Sequence, residues 1–314
     1  MARTEKAPRT QKGPWECVIV GAGPAGLSAA VYMGRFRRRT LVLDCGDGRW
    51  SYGQINHNYL GFPAGVSGIR LHELGRAQAE RFGVAFQDAE VTKVGRDGQG
   101  FRLTTTKGRH RARTLIWAAG VHDRWPDFER ARRLVGKHLF WCIVCDGWRA
   151  RDLRVLVLGD TDKAVRTTLQ FRTYTRRVTL LSDSTRGRRL SSRARAKLTQ
   201  CGIGRIEGRV RKVIASKERI RRVVLDDGRT LEADILFSLY GSTPRTELLR
   251  ELPVALDGNG HVRIDDKNRT SMPAFFAAGD VDGKHSHQVI SAAAEGAMAA
   301  QAANHVLYPA AQRM

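Results

Sequence analysis

Short continuous runs of apolar residues alternate along the chain with glycine-rich turns and with segments rich in alanine and other small residues. The first such segment reads ECVIVGAGPAGLSAAVYMGRFRRRTLVLD. An apolar strand from Cys17 to Val20 runs into a turn, a small-residue helix and a second apolar strand that ends at Asp44. This order of strand, helix and strand predicts one half of a parallel α/β sheet.

The turn after the first strand places Gly21, Gly23 and Gly26 at the spacing GxGxxG. The first glycine allows the tight turn, the second lets a pyrophosphate approach the backbone, and the third packs helix against strand. The start of the helix offers free amides and a partial positive charge to phosphates. Asp44 follows where a carboxylate can accept ribose hydroxyls. The segment therefore predicts a dinucleotide site.

A second unit of the same kind reads RVLVLGDTDKAVRTTLQFRTYTRRVTLLSD. Gly159 and Ala164 keep the first and third positions of the motif, but Thr161 occupies the second, where a pyrophosphate would approach. Asp160 and Asp162 add negative charge beside the expected phosphate. The unit is built like half of a nucleotide-binding fold, yet it is poorly suited to NADPH.

Length and composition describe a globular chain of about two domains, since 314 residues is close to twice the usual domain size. No continuous apolar run is long enough to span a bilayer. Residues 1–14 are basic and polar without an apolar stretch, so we expect a loose tail and a cytoplasmic protein.

The net charge of +23 favours anionic partners such as acidic proteins, a membrane surface or nucleic acid. The arginines are scattered, and no zinc finger or RNA-recognition signature is present. We interpret most of this charge as a solvated surface, with no specific nucleic-acid site.

The stretch WCIVCDG holds Cys142 and Cys145, followed at once by Asp146. Such a pair can bind zinc, brace a loop or carry electrons. Zinc needs four ligands, and no second cysteine pair completes the set. A pair at the start of a helix favours the thiolate, so we predict a redox disulfide. Asp146 is either its proton donor or a helix cap. Trp148 is expected to pack, with stacking on a flavin or on a partner's surface as the alternative. Cys17, Cys45 and Cys201 are expected to be packing residues.

Near the C-terminus, a strand leads to Gly279 and Asp280 and then to a long alanine-rich helix. Together with the first unit, the strand TLIWAAG ending at Gly120, and the CxxC pair, this resembles bacterial low-molecular-weight thioredoxin reductases over residues 15–308. The resemblance implies an α/β fold with two doubly wound Rossmann-like domains of the three-layer ββα type, and a homodimer. The FAD domain would cover residues 15–124 and 246–314, and an NAD(P)-binding-like domain carrying the disulfide would cover 125–245.

The resemblance also implies roles for individual residues. Cys145 would face the flavin, Cys142 would exchange with a thioredoxin-like protein or a small dithiol or disulfide, and Asp146 would move the proton. The FAD-binding positions would be Gly21, Gly23, Gly26, Asp44, Gln54, Asn58, Gly120, Gly279, Asp280, Val281, Gln288 and Val289.

The departures from the family fall in the second unit. Members that use NADPH carry GxGxxA and then HRRxxxR, whose arginines hold the 2′-phosphate, whereas this chain reads GDTDKA and SDSTRGR. Arg188 is the arginine that remains, and Asp183 stands at the leading arginine position. An acid there suits an unphosphorylated ribose and repels a 2′-phosphate. We therefore expect a donor other than NADPH, either a second FAD in this domain or an acidic ferredoxin-like protein.

Three alternatives stay open at this point. The chain could be an ordinary NADPH-dependent thioredoxin reductase, or a dithiol oxidase that passes electrons to oxygen. It could also be a basic flavin-binding scaffold or a nucleic-acid-binding flavoprotein without catalytic activity. In each case the positive charge allows a cytoplasmic protein to associate with a membrane surface.

Overall fold

The computed structural model describes residues 13–183, 185, 189–216, 219–285 and 287–312. Nearly all of the predicted N-terminal tail, and Arg188, lie outside the described residues. Within the described part of the chain, no helix combines the length and apolar character needed to cross a membrane.

The elements up to the first change of unit are β1 (Trp15–Val20), α1 (Pro24–Arg35), β2 (Thr40–Asp44), β3 (Ile55–Asn56), β4 (Val66–Ser67), α2 (Gly68–Arg81), β5 (Ala85–Asp88), β6 (Val91–Asp97), β7 (Gly100–Thr105), β8 (Gly108–Trp117) and β9 (Val121–Asp123). The middle of the chain forms β10 (Leu139–Phe140), α3 (Ile143–Asp146), β11 (Val155–Leu158), α4 (Asp162–Gln170), β12 (Val178–Ser182), α5 (Ser192–Gln200), β13 (Gly204–Glu207), β14 (Val210–Ala215), β15 (Ile220–Leu225), β16 (Thr230–Leu231) and β17 (Ile235–Ser238). The last elements are β18 (Ser242–Pro244), β19 (Phe275–Ala277) and α6 (Val289–Leu307).

The described residues divide into two compact units. Unit 1 takes those of Met1–Gly53, Tyr59–His122 and Thr243–Met314, and unit 2 takes Gln54–Asn58 and those of Asp123–Ser242. The chain thus leaves unit 1 and returns to it.

Unit 1 is built on a sheet with the order β5-β2-β1-β8-β7-β6, and β19 also pairs with β8. The strands β1, β2, β5, β8 and β19 are parallel, and β6 and β7 form an antiparallel extension. Successive residues of β1 face opposite sides of the sheet. Cys17 and Ile19 belong to the core that contains α1 and α6, whereas Val18 and Val20 belong to the core on the other face.

Unit 2 repeats this arrangement. Its parallel sheet has the order β10-β17-β11-β12-β13, and β14, β15 and β16 form a separate antiparallel sheet. Val155 and Val157 of β11 pack with the residues of α4 and α5, while Leu156 and Leu158 pack with the antiparallel strands. Continuous apolar strands are explained by this burial on both faces. The predicted α/β class with two Rossmann-like, three-layer units is confirmed.

Candidate active site

The glycine-rich turn of unit 1 lies between β1 and α1, as the sequence predicted. Gly21 has a φ of +100°, and a Cβ there would overlap the carbonyl oxygen of Ala118. A Cβ on Gly26 would overlap the carbonyl oxygen of Gly21, so this glycine permits the close contact of helix and turn. At Gly23, a Cβ would meet no atom within 4 Å. The second glycine therefore keeps open the space that a pyrophosphate needs.

The start of α1 is free of competing side chains. Its N-cap is Gly23, no side chain caps it, and its first turn contains no acidic residue. Asp44 ends β2, and its Oδ1 accepts a hydrogen bond of 2.9 Å from the amide of Ala22 in the turn. Unsatisfied amides, a helix dipole and a carboxylate at the end of the next strand fit the pyrophosphate and ribose of a dinucleotide.

The C-terminal half of unit 1 brings a second group of predicted residues to the same edge of the sheet. Val20, Trp117 and Ala277 are level with one another in the register, so Gly21, Gly120 and Gly279 follow the carboxyl ends of neighbouring parallel strands. Ligands of open α/β sheets bind outside these ends. Gln288 is the N-cap of α6 and Val289 its first residue, and no side chain caps this helix start.

Three residues at this edge were missed by the sequence reasoning. The amide of Gly279 donates a hydrogen bond of 2.5 Å to Glu295, which is 4% exposed on α6. The other oxygen of Glu295 lies 2.7 Å from Nδ1 of His285. Arg49 donates to Asp280 at 2.7 Å. These pairs fix the predicted FAD-binding loop, but their partners lie far apart in sequence and carry no local motif.

Asp282 belongs to the same loop and is 6% exposed. Burial, and then repulsion from Glu295, raise its pKa to about 8. Its Oδ1 accepts the amide of Lys284, whereas its buried Oδ2 has no hydrogen-bond partner among the described residues. The carboxyl of Asp282 therefore keeps its proton to a higher pH than an ordinary aspartate does.

The predicted redox pair lies in unit 2. Cys142 and Cys145 form a disulfide with a Cα–Cα distance of 5.3 Å, and Cys142 is the N-cap of α3. Sγ of Cys142 accepts the amide of Cys145 at 3.1 Å. A hydrogen-bond donor directed at this sulfur stabilises negative charge on it. When the pair is reduced, Cys142 is therefore favoured over Cys145 as the thiolate.

Asp146 ends α3 and is 9% exposed. Burial raises its pKa, and the guanidinium of Arg149, bonded to Oδ1 at 2.9 Å, opposes that rise. The carboxyl does not cap α3 and makes no cap hydrogen bond to the turn that follows. The alternative interpretation of Asp146 as a simple helix cap therefore finds no support in its contacts.

The surface around the disulfide is apolar. Val144, between the cysteines, is 70% exposed, and Trp148 is 52% exposed. The indole of Trp148 donates to the carbonyl oxygen of Cys145 at 3.1 Å, and Arg149 lies over its ring. The expected packing of Trp148 is partial: its ring contacts His57 and Arg149 and is otherwise half exposed.

The turn between β11 and α4 differs from its counterpart in unit 1. Thr161 is the N-cap of α4, and its hydroxyl accepts the amide of Ala164 at 3.1 Å. Asp162 lies in the first turn and accepts the amide of Ser191 at 3.0 Å. Asp160 is 4% exposed, and its buried Oδ1 has no hydrogen-bond partner among the described residues. The first turn of α4 is thus capped by Thr161, and Asp160 and Asp162 lie on either side of this residue in the sequence.

The other residues predicted to bind a nucleotide or FAD lie in unit 2 at the following positions. Gly159 follows β11, and a Cβ on it would lie 2.5 Å from that of Ala164. Asp183 follows β12, is 3% exposed, and accepts hydrogen bonds from the amide and hydroxyl of Thr185. Gln54 and Asn58, expected along the FAD, group with unit 2. Oε1 of Gln54 is buried without a partner among the described residues, whereas Asn58 is exposed.

Three further cysteines were expected to be packing residues. Cys17 is fully buried, and burial raises the pKa of its thiol to about 12. Cys201 is half-buried against the core of unit 2. The expectation is wrong for Cys45, which is exposed and donates to Asp47 at 2.9 Å. Among the described residues, no group of three histidine, cysteine or acidic side chains is arranged to hold a metal ion.

Comparison with known proteins agrees with this geometry. Residues 15–301 match the family model described as pyridine nucleotide-disulphide oxidoreductase. The chain is 33% identical over 296 residues to a thioredoxin reductase of Treponema pallidum (strain Nichols), covering 92% of this chain and 96% of that protein. The crystal structure of HlmI superposes with a TM-score of 0.85 at 31% identity, covering 95% of this chain and 94% of HlmI. Thioredoxin reductase from Streptococcus pyogenes MGAS5005 gives a TM-score of 0.86 at 25% identity, with 95% and 99% coverage.

Proposed function

The chain belongs to the pyridine nucleotide-disulphide oxidoreductase family and is an FAD-dependent disulfide oxidoreductase, and from this we propose that it exchanges electrons with a thioredoxin-like protein without NADPH as its natural donor. The predicted enzyme class is confirmed, and the scaffold alternative is set aside. The donor and the substrate are the parts we propose.

The contrast between the two helix starts carries the proposal on the donor. At α1, Gly23 leaves the amides uncapped and the phosphate space open. At α4, Thr161 takes the amide that a phosphate would use, and Asp160 and Asp162 place negative charge beside it. These residues do not fit the pyrophosphate of NADPH, because a dianion would lose a donor and meet like charges.

The same argument bears on the two substitute donors. A second FAD in unit 2 would also bring a pyrophosphate to α4 and meet Thr161 and the two carboxylates. An acidic ferredoxin-like protein needs no phosphate site, and the net charge of +23 attracts it. A protein donor is therefore favoured over a second flavin.

The disulfide performs the thiol chemistry. FAD, when bound, supplies the exchange of two electrons with this pair. In the reducing direction, the Cys142 thiolate attacks one sulfur of a substrate disulfide and releases a substrate thiolate. The Cys145 thiolate then attacks Sγ of Cys142, reforms the protein disulfide and releases the second substrate thiolate. Two electrons pass to the substrate, and two protons convert its sulfurs to thiols.

Asp146 is placed to supply one of those protons. Its burial favours the neutral carboxylic acid, which can donate to a leaving thiolate and recover the proton from a thiol in the reverse direction. Arg149 holds the carboxyl in position through Oδ1.

A protein substrate is supported by the exposed Val144 and Trp148 beside the disulfide. Large apolar side chains next to a reactive pair fit the surface of a folded partner better than they fit water. The named relatives are thioredoxin reductases, which agrees with a thioredoxin-like partner.

The donor is tested by mixing the FAD-loaded enzyme with NADPH in the absence of oxygen. We expect the flavin to stay oxidised at micromolar NADPH while a small dithiol reduces it. Prompt bleaching by NADPH would overturn the proposal and restore the ordinary reductase. Counting flavins released on denaturation distinguishes a second FAD, and oxygen consumption with a dithiol identifies an oxidase.

A matched pair of variants tests the role of the α4 cap. Thr161→Gly removes the hydroxyl that occupies the Ala164 amide, and Ser67→Gly removes the equivalent cap of α2. Either change costs only a few tenths of a kcal/mol in stability. Thr161→Gly should speed reduction by NADPH by roughly tenfold, the value of about one charge-assisted hydrogen bond, and Ser67→Gly should not. Equal rates of reduction by NADPH in the two variants would show that the Thr161 cap does not determine which donor the enzyme uses.

A further inference from the structure

A basic groove lies in unit 1 where β8 changes its pairing partner. β8 is antiparallel to β7 as far as Ala112, which pairs with Phe101, and parallel to β19 from Leu115, which pairs with Phe275. Arg113 falls between these two pairings. A cavity of about 810 Å³ opens in the fork, between the strands and the segment around Arg269.

The groove is on the opposite edge of the sheet from the cofactor residues. Gly21, Gly120 and Gly279 follow the carboxyl ends of β1, β8 and β19. Ala112 pairs with Trp15 at the amino end of β1, and the groove lines this end. The groove is therefore separate from the predicted FAD-binding residues.

Positive charge dominates the walls of the groove. Arg96, Arg111, Arg113 and Arg269 line it, and Asp97 is its lining acid. Asp97 already pairs with Arg111. Arg113 and Arg269 are exposed, and within the described ranges no carboxylate pairs with either guanidinium. Two exposed arginines of the groove lining are thus available to an anionic ligand.

The hydroxyl groups at the groove are already in use. Thr114 donates to the carbonyl oxygen of Glu16, Ser271 to that of Pro253, and Thr270 to that of Phe275. A compact phosphate site needs several convergent donors around one anion, and these hydroxyls do not supply them. A lining that combines several arginines with apolar residues such as Pro273 and Val306 suits an acidic peptide segment, whose carboxylates are spread along a chain.

We propose that this groove docks an acidic segment of a protein partner, with glutamate or aspartate side chains paired to Arg113 and Arg269. The partner is held at the edge remote from the flavin, so the groove tethers it and does not itself pass electrons. The inference stands on the groove and its charge and does not depend on which donor the enzyme uses.

The test measures binding of a short fluorescein-labelled peptide of alternating glutamate and leucine to the FAD-loaded full chain. Fluorescence anisotropy gives the affinity, and the same peptide with glutamine in place of glutamate is the control ligand. Arg113→Glu with Arg269→Glu reverses the charge of the groove. Arg211→Glu with Arg221→Glu makes the same change in net charge at exposed positions of unit 2.

We expect the groove variant to bind the acidic peptide about tenfold more weakly and the control variant to bind it almost normally. Equal losses in the two variants, or equal binding of the glutamine peptide, would overturn the proposal. The proposal would also be overturned if inorganic pyrophosphate or duplex DNA bound at the groove and the acidic peptide did not. The flavin spectrum and melting temperature report folding, and Arg113→Gln with Arg269→Gln is used if the reversal does not fold.

Discussion

Replacing Asp282 by asparagine should change how the stability of unit 1 depends on pH. The pKa of Asp282 is raised to about 8 by burial and by Glu295, from its ordinary value of 3.8. Between these two values the native state holds a proton that the unfolded chain has released. The free energy of unfolding of the natural chain therefore falls as pH rises, by about 1.4 kcal/mol per pH unit, and levels off above about pH 8.

Asparagine keeps the shape of the neutral carboxyl and removes the titration. The free energy of unfolding of Asp282→Asn, relative to the natural chain, should then grow by roughly 2 kcal/mol between about pH 6 and about pH 8, because the slope is about 1.4 kcal/mol per pH unit at pH 6 and about half of that at pH 8. Above that range the difference should be constant.

The measurement is urea unfolding of the FAD-loaded protein at several pH values and fixed excess FAD. Flavin fluorescence reports the release of FAD, and the predicted FAD site is in unit 1, so we expect the transition to be that of the unit that carries Asp282. Glu251→Gln, at an exposed acid of the same unit, is the control for the loss of one acidic side chain. A constant difference for Asp282→Asn from about pH 6 to about pH 9 would refute the buried-proton argument.

The site yields three more predictions. Cys142→Ser or Cys145→Ser should abolish turnover of dithiols and disulfides while the flavin spectrum persists, because each variant lacks one of the two exchanging sulfurs; residual turnover in both would place the exchange elsewhere. Asp146→Asn should lower turnover by about 10²- to 10⁴-fold, and the decline of activity as pH rises through the raised pKa of Asp146 should vanish from its pH profile; an unchanged profile contradicts the proton role. Trp148→Ala should raise KM severalfold for a thioredoxin-like protein and leave KM for a small dithiol unchanged, since only a folded partner reaches the exposed ring; equal effects on both substrates would indicate a local structural role.

Sequence alone determined the features that depend on contiguous residues. Gly21, Gly23 and Gly26 between an apolar strand and a small-residue helix predicted the turn that the structure contains, because each glycine meets a local backbone or steric demand. The pair Cys142 and Cys145 likewise fixed the position of the disulfide. The continuous apolar strands predicted sheets buried on both faces, because such strands have no polar side to turn toward water.

Only the tertiary structure decided which groups share an environment. Glu295 reaches the amide of Gly279 from another element, and Arg49 reaches Asp280 across 231 positions of the chain. The raised pKa of Asp282 depends on burial and on a neighbouring carboxylate, and the basic groove on a strand that changes partners at Arg113. Local patterns specify backbone conformation and burial, whereas pKa values and ligand surfaces depend on distances between residues that folding alone brings together.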